Sequence, residues 1–273
     1  MYLTPVITAT NSNHLSYKNT GLGNVMFQIA STYGLAKQTN RVAVWNNVSI
    51  FADILKNKFD FNHKDTIFRK CLSVFEEEFI VVPEGTTWTH NDRLVEFLKN
   101  SRISVSLYGY FEVVSYFHQY KEDIMDIFSP DEISFELIRS TYPILFDDAY
   151  TTVSIHFRGN EYLRQSDIGH PWDYDFYKRA VKFFKDKFSN IIFLIFSDDM
   201  ETIDFSFLED APYKKMGHKY DYIDLWCLTF CKHNIISRST FSFWGGYLNK
   251  NPDAIIVYNK NHSRSYNLIF QAI

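Results

Sequence analysis

The sequence predicts an α/β protein made of two Rossmann-like halves, and three observations carry that prediction. Near the start of the chain a strand, a glycine-containing loop, a helix and a second strand follow one another, the order of a parallel α/β unit. Between residues 152 and 258 strands and helices alternate, as a doubly wound sheet requires. The 273 residues are 46% apolar and 18% aromatic, enough to build the cores of two compact domains. No repeat, Pro-rich stretch or Gly/Ser linker interrupts them, so the halves, placed at residues 1–148 and 149–273, are joined by something short.

In the first half, residues 5–10 read as a strand, followed by a polar loop through Thr20. Gly21-Leu22-Gly23-Asn24 opens a helix to about Thr39, with Met26, Ile29, Ala30 and Leu35 on one face. Strands are expected at residues 41–45, 79–82 and 104–109. Residues 112–128 are expected to be helical and to stop at Ser129-Pro130, because proline lacks the N–H a helix needs. In the second half, strands are expected at residues 152–157, 190–196, 234–237 and 254–258. Helices are expected at residues 175–188, 223–231 and 241–248.

Composition removes several classes of function. A net charge of −4 with dispersed basic residues argues against a broad nucleic-acid surface, since phosphate backbones are held by clustered Lys and Arg. No basic segment followed by a long apolar one opens the chain, and the run at residues 191–196 is far below the ~20 residues of a spanning helix. A cytoplasmic chain with neither a signal peptide nor a transmembrane segment is expected. Cys71, Cys227 and Cys231 form no even disulfide framework. Cys227 and Cys231, at helical spacing among apolar residues, read as buried thiols, because no second pair or spaced His completes a zinc set.

Three strands of the second half end in polar residues where a doubly wound sheet holds its ligands: His156-Phe157-Arg158-Gly159-Asn160-Glu161-Tyr162, Ser197-Asp198-Asp199 and Ser237-Arg238-Ser239-Thr240. Arg158 reads either as a phosphate clamp, through its permanently charged planar fork, or as a surface cation paired with a carboxylate. Ser239 and Thr240 precede a helix beginning at Phe241, so they either bind an anion with the first free N–H groups or simply cap the helix. Asp198 and Asp199 suggest a metal pair, but adjacent strand residues face opposite sides, so sugar or base recognition by Asp198 is the preferred reading. His156 is either a ligand-facing donor or a satisfied core residue. The Gly21-Leu22-Gly23-Asn24 loop is either a tight turn or a place where backbone comes close to a nucleotide.

These motifs, in this order, resemble glycosyltransferase family 11 over most of the chain. Gly21-Leu22-Gly23-Asn24-Val25-Met26-Phe27-Gln28-Ile29-Ala30 is similar to the family's G-L-G-N-Q-M-F-Q-Y-A, and Ile195-Phe196-Ser197-Asp198-Asp199 to its F-S-D-D element. Tyr108-Gly109-Tyr110-Phe111 resembles a G-Y-F stretch. Asp224-Leu225 through Cys231-Lys232-His233-Asn234-Ile235-Ile236 resembles its D-L and C-K-H-N-I-I run, and Ser239-Thr240-Phe241-Ser242-Phe243-Trp244-Gly245 its S-S-F-S-W-W-G. The resemblance implies a GT-B-like fold with two Rossmann-like domains facing a central cleft. It implies inverting transfer of fucose from GDP-fucose to a glycan hydroxyl, as in α-1,2-fucosyltransferases, with no metal and no other cofactor. It places Arg158, Ser239 and Thr240 on the donor phosphates and Asp198 on the guanine side; Gly21, Gly23, Asn24, His156 and Phe241 complete the expected substrate-binding set.

The chain departs from the family pattern at several points. Against H-x-R-R-G-D-Y, the second Arg is Gly159 and the Asp is Glu161, so one cation is missing beside the pyrophosphate. Val25 and Phe243 stand where the family has Gln and Trp. Glu161 is the expected general base, with holding Arg158 in place as its rival role, and Asp173 and Asp175 are the fallback bases. The alternatives are the same fold with another nucleotide-sugar donor, or a nucleotide- or glycan-binding pseudoenzyme. The acceptor has no motif; Trp45, Trp88, Tyr108 and Tyr110 are aromatic faces for sugar stacking or simply core.

Overall fold

A computed structural model of the protein describes residues 1–7, 21–45, 63–71, 78–85, 89–159, 172–261 and 269–273. These form two compact units, Met1–Asp131 and Glu132–Ile273. The division lies ahead of residue 148 because helix α4 (Glu132–Thr141) packs in the second unit, where Phe135 meets Phe146 and Phe230 edge-on at 5.6 and 5.5 Å.

In the first unit, β1 (Tyr2–Pro5) leads into α1 (Leu22–Gln38) and β2 (Val42–Ala43). Then come β3 (Ile80–Pro83), α2 (Asp92–Asn100), β4 (Val105–Tyr108) and α3 (Lys121–Ile127). All strand pairs are parallel, in the order β2-β1-β4-β3. The first strand starts earlier than the pattern suggested, because residues 2–5 are the ones that pair with Val42–Ala43 and Val105–Leu107; residues 8–10 of the expected strand lie outside the described residues. The expected helix at 112–128 is a correction. Val114–Tyr116 and His118–Tyr120 are 3₁₀ turns, and α-helix begins only at Lys121. The preceding loop carries a left-handed Phe111 at φ 50° and is tied to α1, which removes those residues from a regular helix. The helix α2 was not expected; it opens on Asn91, whose side chain accepts from the Leu94 N–H.

The second unit continues with β5 (Thr151–Phe157), α5 (Tyr174–Lys187), β6 (Ile191–Ser197) and β7 (Tyr213–Lys215). It ends with α6 (Asp221–Phe230), β8 (His233–Ile236), α7 (Thr240–Tyr247), β9 (Ile256–Tyr258) and β10 (Gln271–Ala272). Six parallel strands run β10-β9-β8-β5-β6-β7. The central strands are buried almost throughout, as strands covered by helices on each side must be, with β5 sending Val153, Ile155 and Phe157 to one face and Thr152, Ser154 and His156 to the other. One face meets α5, whose Phe176, Tyr177, Ala180, Val181 and Phe184 recur at helical spacing and pack on Val153, Ile155, Phe193 and Ile195. On the other side Trp226 of α6 and Trp244 of α7 are fully buried. Beneath them Asn234 on β8 donates to Ser154 Oγ at 2.6 Å and to the Leu228 carbonyl at 2.8 Å, while Asn249 donates to Asn234 Oδ1 at 2.6 Å.

Candidate functional site

A parallel sheet binds ligands outside the carboxyl ends of its strands, where neighbouring strands send their connections in opposite directions. In the second unit that point is between β5, whose chain leaves toward β6, and β8, whose chain leaves through α7 toward β9. The bank formed by β5 carries His156, Phe157, Arg158 and Gly159. The bank formed by β8 carries Ser237, exposed Arg238, Ser239 and the start of α7.

His156 is buried, and its Nδ1 lies 3.3 Å from Ser237 Oγ, joining the two banks. Burial pushes its imidazole down to about 3, helped by the Arg158 charge, so it is neutral at physiological pH. The ring of Phe241 lies 5.0 Å from the imidazole. Arg158 is the half-buried cation of the β5 bank. Ser239 is the N-cap residue of α7, yet its side chain makes no capping hydrogen bond. Thr240 follows as the first helical residue, so both hydroxyls belong to the amino end of α7, where the first N–H groups lack intrahelical partners.

On the far side of β5, the end of β6 contributes Asp198, whose Oδ1 accepts from the Gly159 N–H at 2.6 Å, and Asp199, whose N–H donates to Ser197 Oγ at 3.0 Å. A Cβ on Gly159 would stand 2.5 Å from Asp198 Oδ1 and 3.0 Å from Asp199 Cβ, so a side chain here would make the Asp198 carboxylate move. Trp172 donates its indole N–H to the Arg158 carbonyl at 2.9 Å and packs edge-on to Phe157 at 5.3 Å. Sequence reasoning missed Trp172, which carries no motif and follows a stretch outside the described residues. That stretch includes Asn160, Glu161 and Tyr162, so the expected base Glu161 also lies outside them. Asp173 is engaged elsewhere: it caps α5 through the Phe176 N–H at 3.0 Å and accepts from Asn259 at 2.6 Å. Asp175 is exposed in the first turn of that helix. Among the described residues no group of three or more His, Cys, Asp or Glu side chains is gathered to hold a metal ion.

In the first unit β1 and β4 are neighbours at the centre of the sheet, and α1 packs across their carboxyl ends. Gly21 is the N-cap residue of α1, and among the described residues a Cβ there would meet nothing within 4 Å. The amide bridging the strand ends comes from Gln28, which donates to the Gly109 carbonyl at 2.8 Å and, at a long 3.5 Å, to that of Val6. Val25, standing where the family has Gln, is fully buried core instead. Glu84 accepts from the Tyr110 and Phe111 N–H groups at 2.8 and 3.0 Å, and burial raises its carboxyl above the usual range. Trp45 is buried, Tyr108 and Tyr110 are half-buried, and Trp88 lies outside the described residues. A depression of about 490 Å³ lined by Met1, Glu78, Ile80, Arg102 and Ser104 lies at the opposite, amino ends of these strands.

The profile of Glycosyl transferase family 11 matches residues 6–271. The chain belongs to this family. The family-11 glycosyltransferase is similar to the Escherichia coli O-antigen biosynthesis glycosyltransferase WbnK, 24% identical over 274 residues, with 87% of this chain and 90% of the relative covered. It is also similar to an Escherichia coli alpha-1,2-colitosyltransferase, 26% identical over 262 residues, with 85% and 86% covered. Among solved structures it matches NodZ alpha-1,6-fucosyltransferase soaked with GDP-fucose at TM-score 0.51 and 14% identity, covering 94% of each chain. The fucosyltransferase NodZ from Bradyrhizobium matches at TM-score 0.50 and 12% identity, with 89% and 92% covered. The glycosyltransferase thus has the GT-B fold of these neighbours. No helix among its described residues is long and apolar enough to cross a membrane.

Proposed function

We propose that this glycosyltransferase transfers fucose, with inversion, from GDP-fucose to a hydroxyl of a glycan acceptor in an α-1,2 manner, without a divalent metal, in the cytoplasm. The observation that carries the reading is that the β5 end bearing Arg158 and the start of α7 at Ser239 and Thr240 flank one switch-point crevice of a family-11 chain. In that reading the acceptor oxygen attacks the anomeric carbon while the bond to the diphosphate breaks and GDP leaves with the electron pair. Negative charge then grows on the leaving phosphate. Arg158, the α7 N–H groups and the Ser239 and Thr240 hydroxyls are fixed donors for it, the part a metal plays elsewhere. His156, being neutral, adds a hydrogen-bonding group without repelling Arg158. Glu161 takes the hydroxyl proton, and Gly21, Gly23 and Asn24 approach the substrate through backbone. The names of the relatives support a deoxy-sugar donor. The free, buried state of all three cysteines fits a reducing compartment.

A second reading, the same chemistry with another nucleotide-sugar, is favoured by Gly159, which leaves one cation fewer than the family pattern on the β5 bank. The test is GDP release from GDP-fucose in EDTA with a glycan acceptor. Turnover is expected, and Arg158→Ala should lower kcat/KM roughly ten- to hundredfold, the worth of one charge-assisted contact. Full activity in that variant would remove the phosphate-clamp assignment; turnover only with a different donor would select the second reading.

A further inference from the structure

The carbonyl of Arg158 and the N–H of Gly159 belong to one planar peptide group, and a trans peptide points these two atoms in opposite directions. Each is held by a different side chain: Trp172 donates to the carbonyl at 2.9 Å, and Asp198 accepts from the N–H at 2.6 Å. Gly159 is buried, so its N–H has to find a partner within the protein. The indole is itself fixed edge-on against Phe157, on a strand whose side chains around it are core. A peptide gripped from both sides cannot rotate, and its orientation sets the direction in which Arg158 leaves the backbone.

We infer that Asp198 and Trp172 are positioning residues that clamp the Arg158–Gly159 peptide and thereby aim the Arg158 guanidinium at the diphosphate of the donor. The inference rests on the donor reading above and changes what Asp198 does: its Oδ1 is spent on the protein's own backbone instead of on the nucleotide base. A Cβ at position 159 would stand 2.5 Å from Asp198 Oδ1, so Gly159 leaves room for the carboxylate to reach the N–H.

The clamp is tested on the full chain by two readouts. The first uses no ligand: amide hydrogen exchange at Gly159 should be slow in the native protein, stay slow in Asp198→Asn, whose side-chain oxygen still accepts, and become fast in Asp198→Ala. Fast exchange in the native protein would overturn the clamp whatever the donor is. The second is GDP affinity by calorimetry. Asp198→Ala and Trp172→Phe should each weaken binding at least tenfold, Asp198→Asn only about threefold, and neither loss should add to that of Arg158→Ala. If Asp198→Asn were as weak as Asp198→Ala, the ligand would be reading the carboxylate charge and the positioning role would fall. Additive losses in the double variants would overturn it as well. A native protein that ignored GDP while binding another nucleoside diphosphate would overturn the guanine donor alone, and the same variants measured with that nucleotide would decide the clamp.

Discussion

Asp224 shows how one buried side chain can set a pH dependence. It sits in the first turn of α6, where its carboxyl accepts from the His218 N–H and its Oδ1 has no hydrogen bond among the described residues. Burial first, then the nearby Asp221 charge, raise it to about 7. The folded protein therefore favours the neutral carboxyl: its contribution to stability is fully present below the unfolded value near 3.8 and is lost as pH rises toward 7. Asp224→Asn should match the native protein in urea unfolding at pH 4 and exceed it at pH 8, by on the order of 3 kcal/mol. An equal effect at both pH values would show that the carboxyl ionises without penalty. Arg158 and Ser239 could be named as candidates at this scale because charge and hydroxyl chemistry are written in the residue itself. Gln28, Glu84 and Trp172 were not, since each acts on a backbone group that only the fold brings near.

β5, with Val153, Ile155 and Phe157 at alternate positions, and β6, with its apolar run from Ile191 to Phe196, were legible to within a residue or two, because a covered strand has few other ways to bury them. The short edge strands β7 and β10 were not, since three exposed residues or two carry no pattern. The 3₁₀ turns after β4 escaped for another reason. Their apolar spacing fits a helix, but Ser31 accepts the place of a helical partner by donating to the Phe111 carbonyl at 2.7 Å. Motif residues also divide by element. In the Cys231-to-Ile236 run, Asn234 joins β5, α6 and Asn249, and His233 accepts from the Ile255 N–H at 3.0 Å while stacking on Phe188 at 4.5 Å. These residues build the β8 bank without facing a ligand. Asn234→Ala should thus lower unfolding free energy by about 2–3 kcal/mol, through partners left unsatisfied, while GDP affinity of the folded fraction changes little. A loss of affinity with unaltered stability would reassign Asn234 to the site.

At the scale of the whole molecule, the two sheets were predicted by the βαβ alternation, and the boundary between units was not, because α4 follows a proline stop yet packs with the chain beyond it. Binding at the β5–β8 crevice engages the centre of the second sheet, so the linkage should spread through that unit. With GDP at a hundredfold excess over its Kd, strand amides of residues 132–273 that exchange by global opening of the unit should be protected by about 2.7 kcal/mol. Protection confined to the loops beside the crevice would mean that the site opens without unfolding the sheet. The same topology has a consequence for how the molecule comes into being. β5 finds its neighbour β8 some eighty residues further on, with Asn234 and Ser154 in contact across that separation. A ribosome adding about 5–20 residues per second leaves Arg158 waiting for several seconds with nothing opposite it. On the proposed reading, nucleotide capture then has to wait for synthesis past Ser239, and a product released earlier would carry the cation of one bank without the helix end of the other.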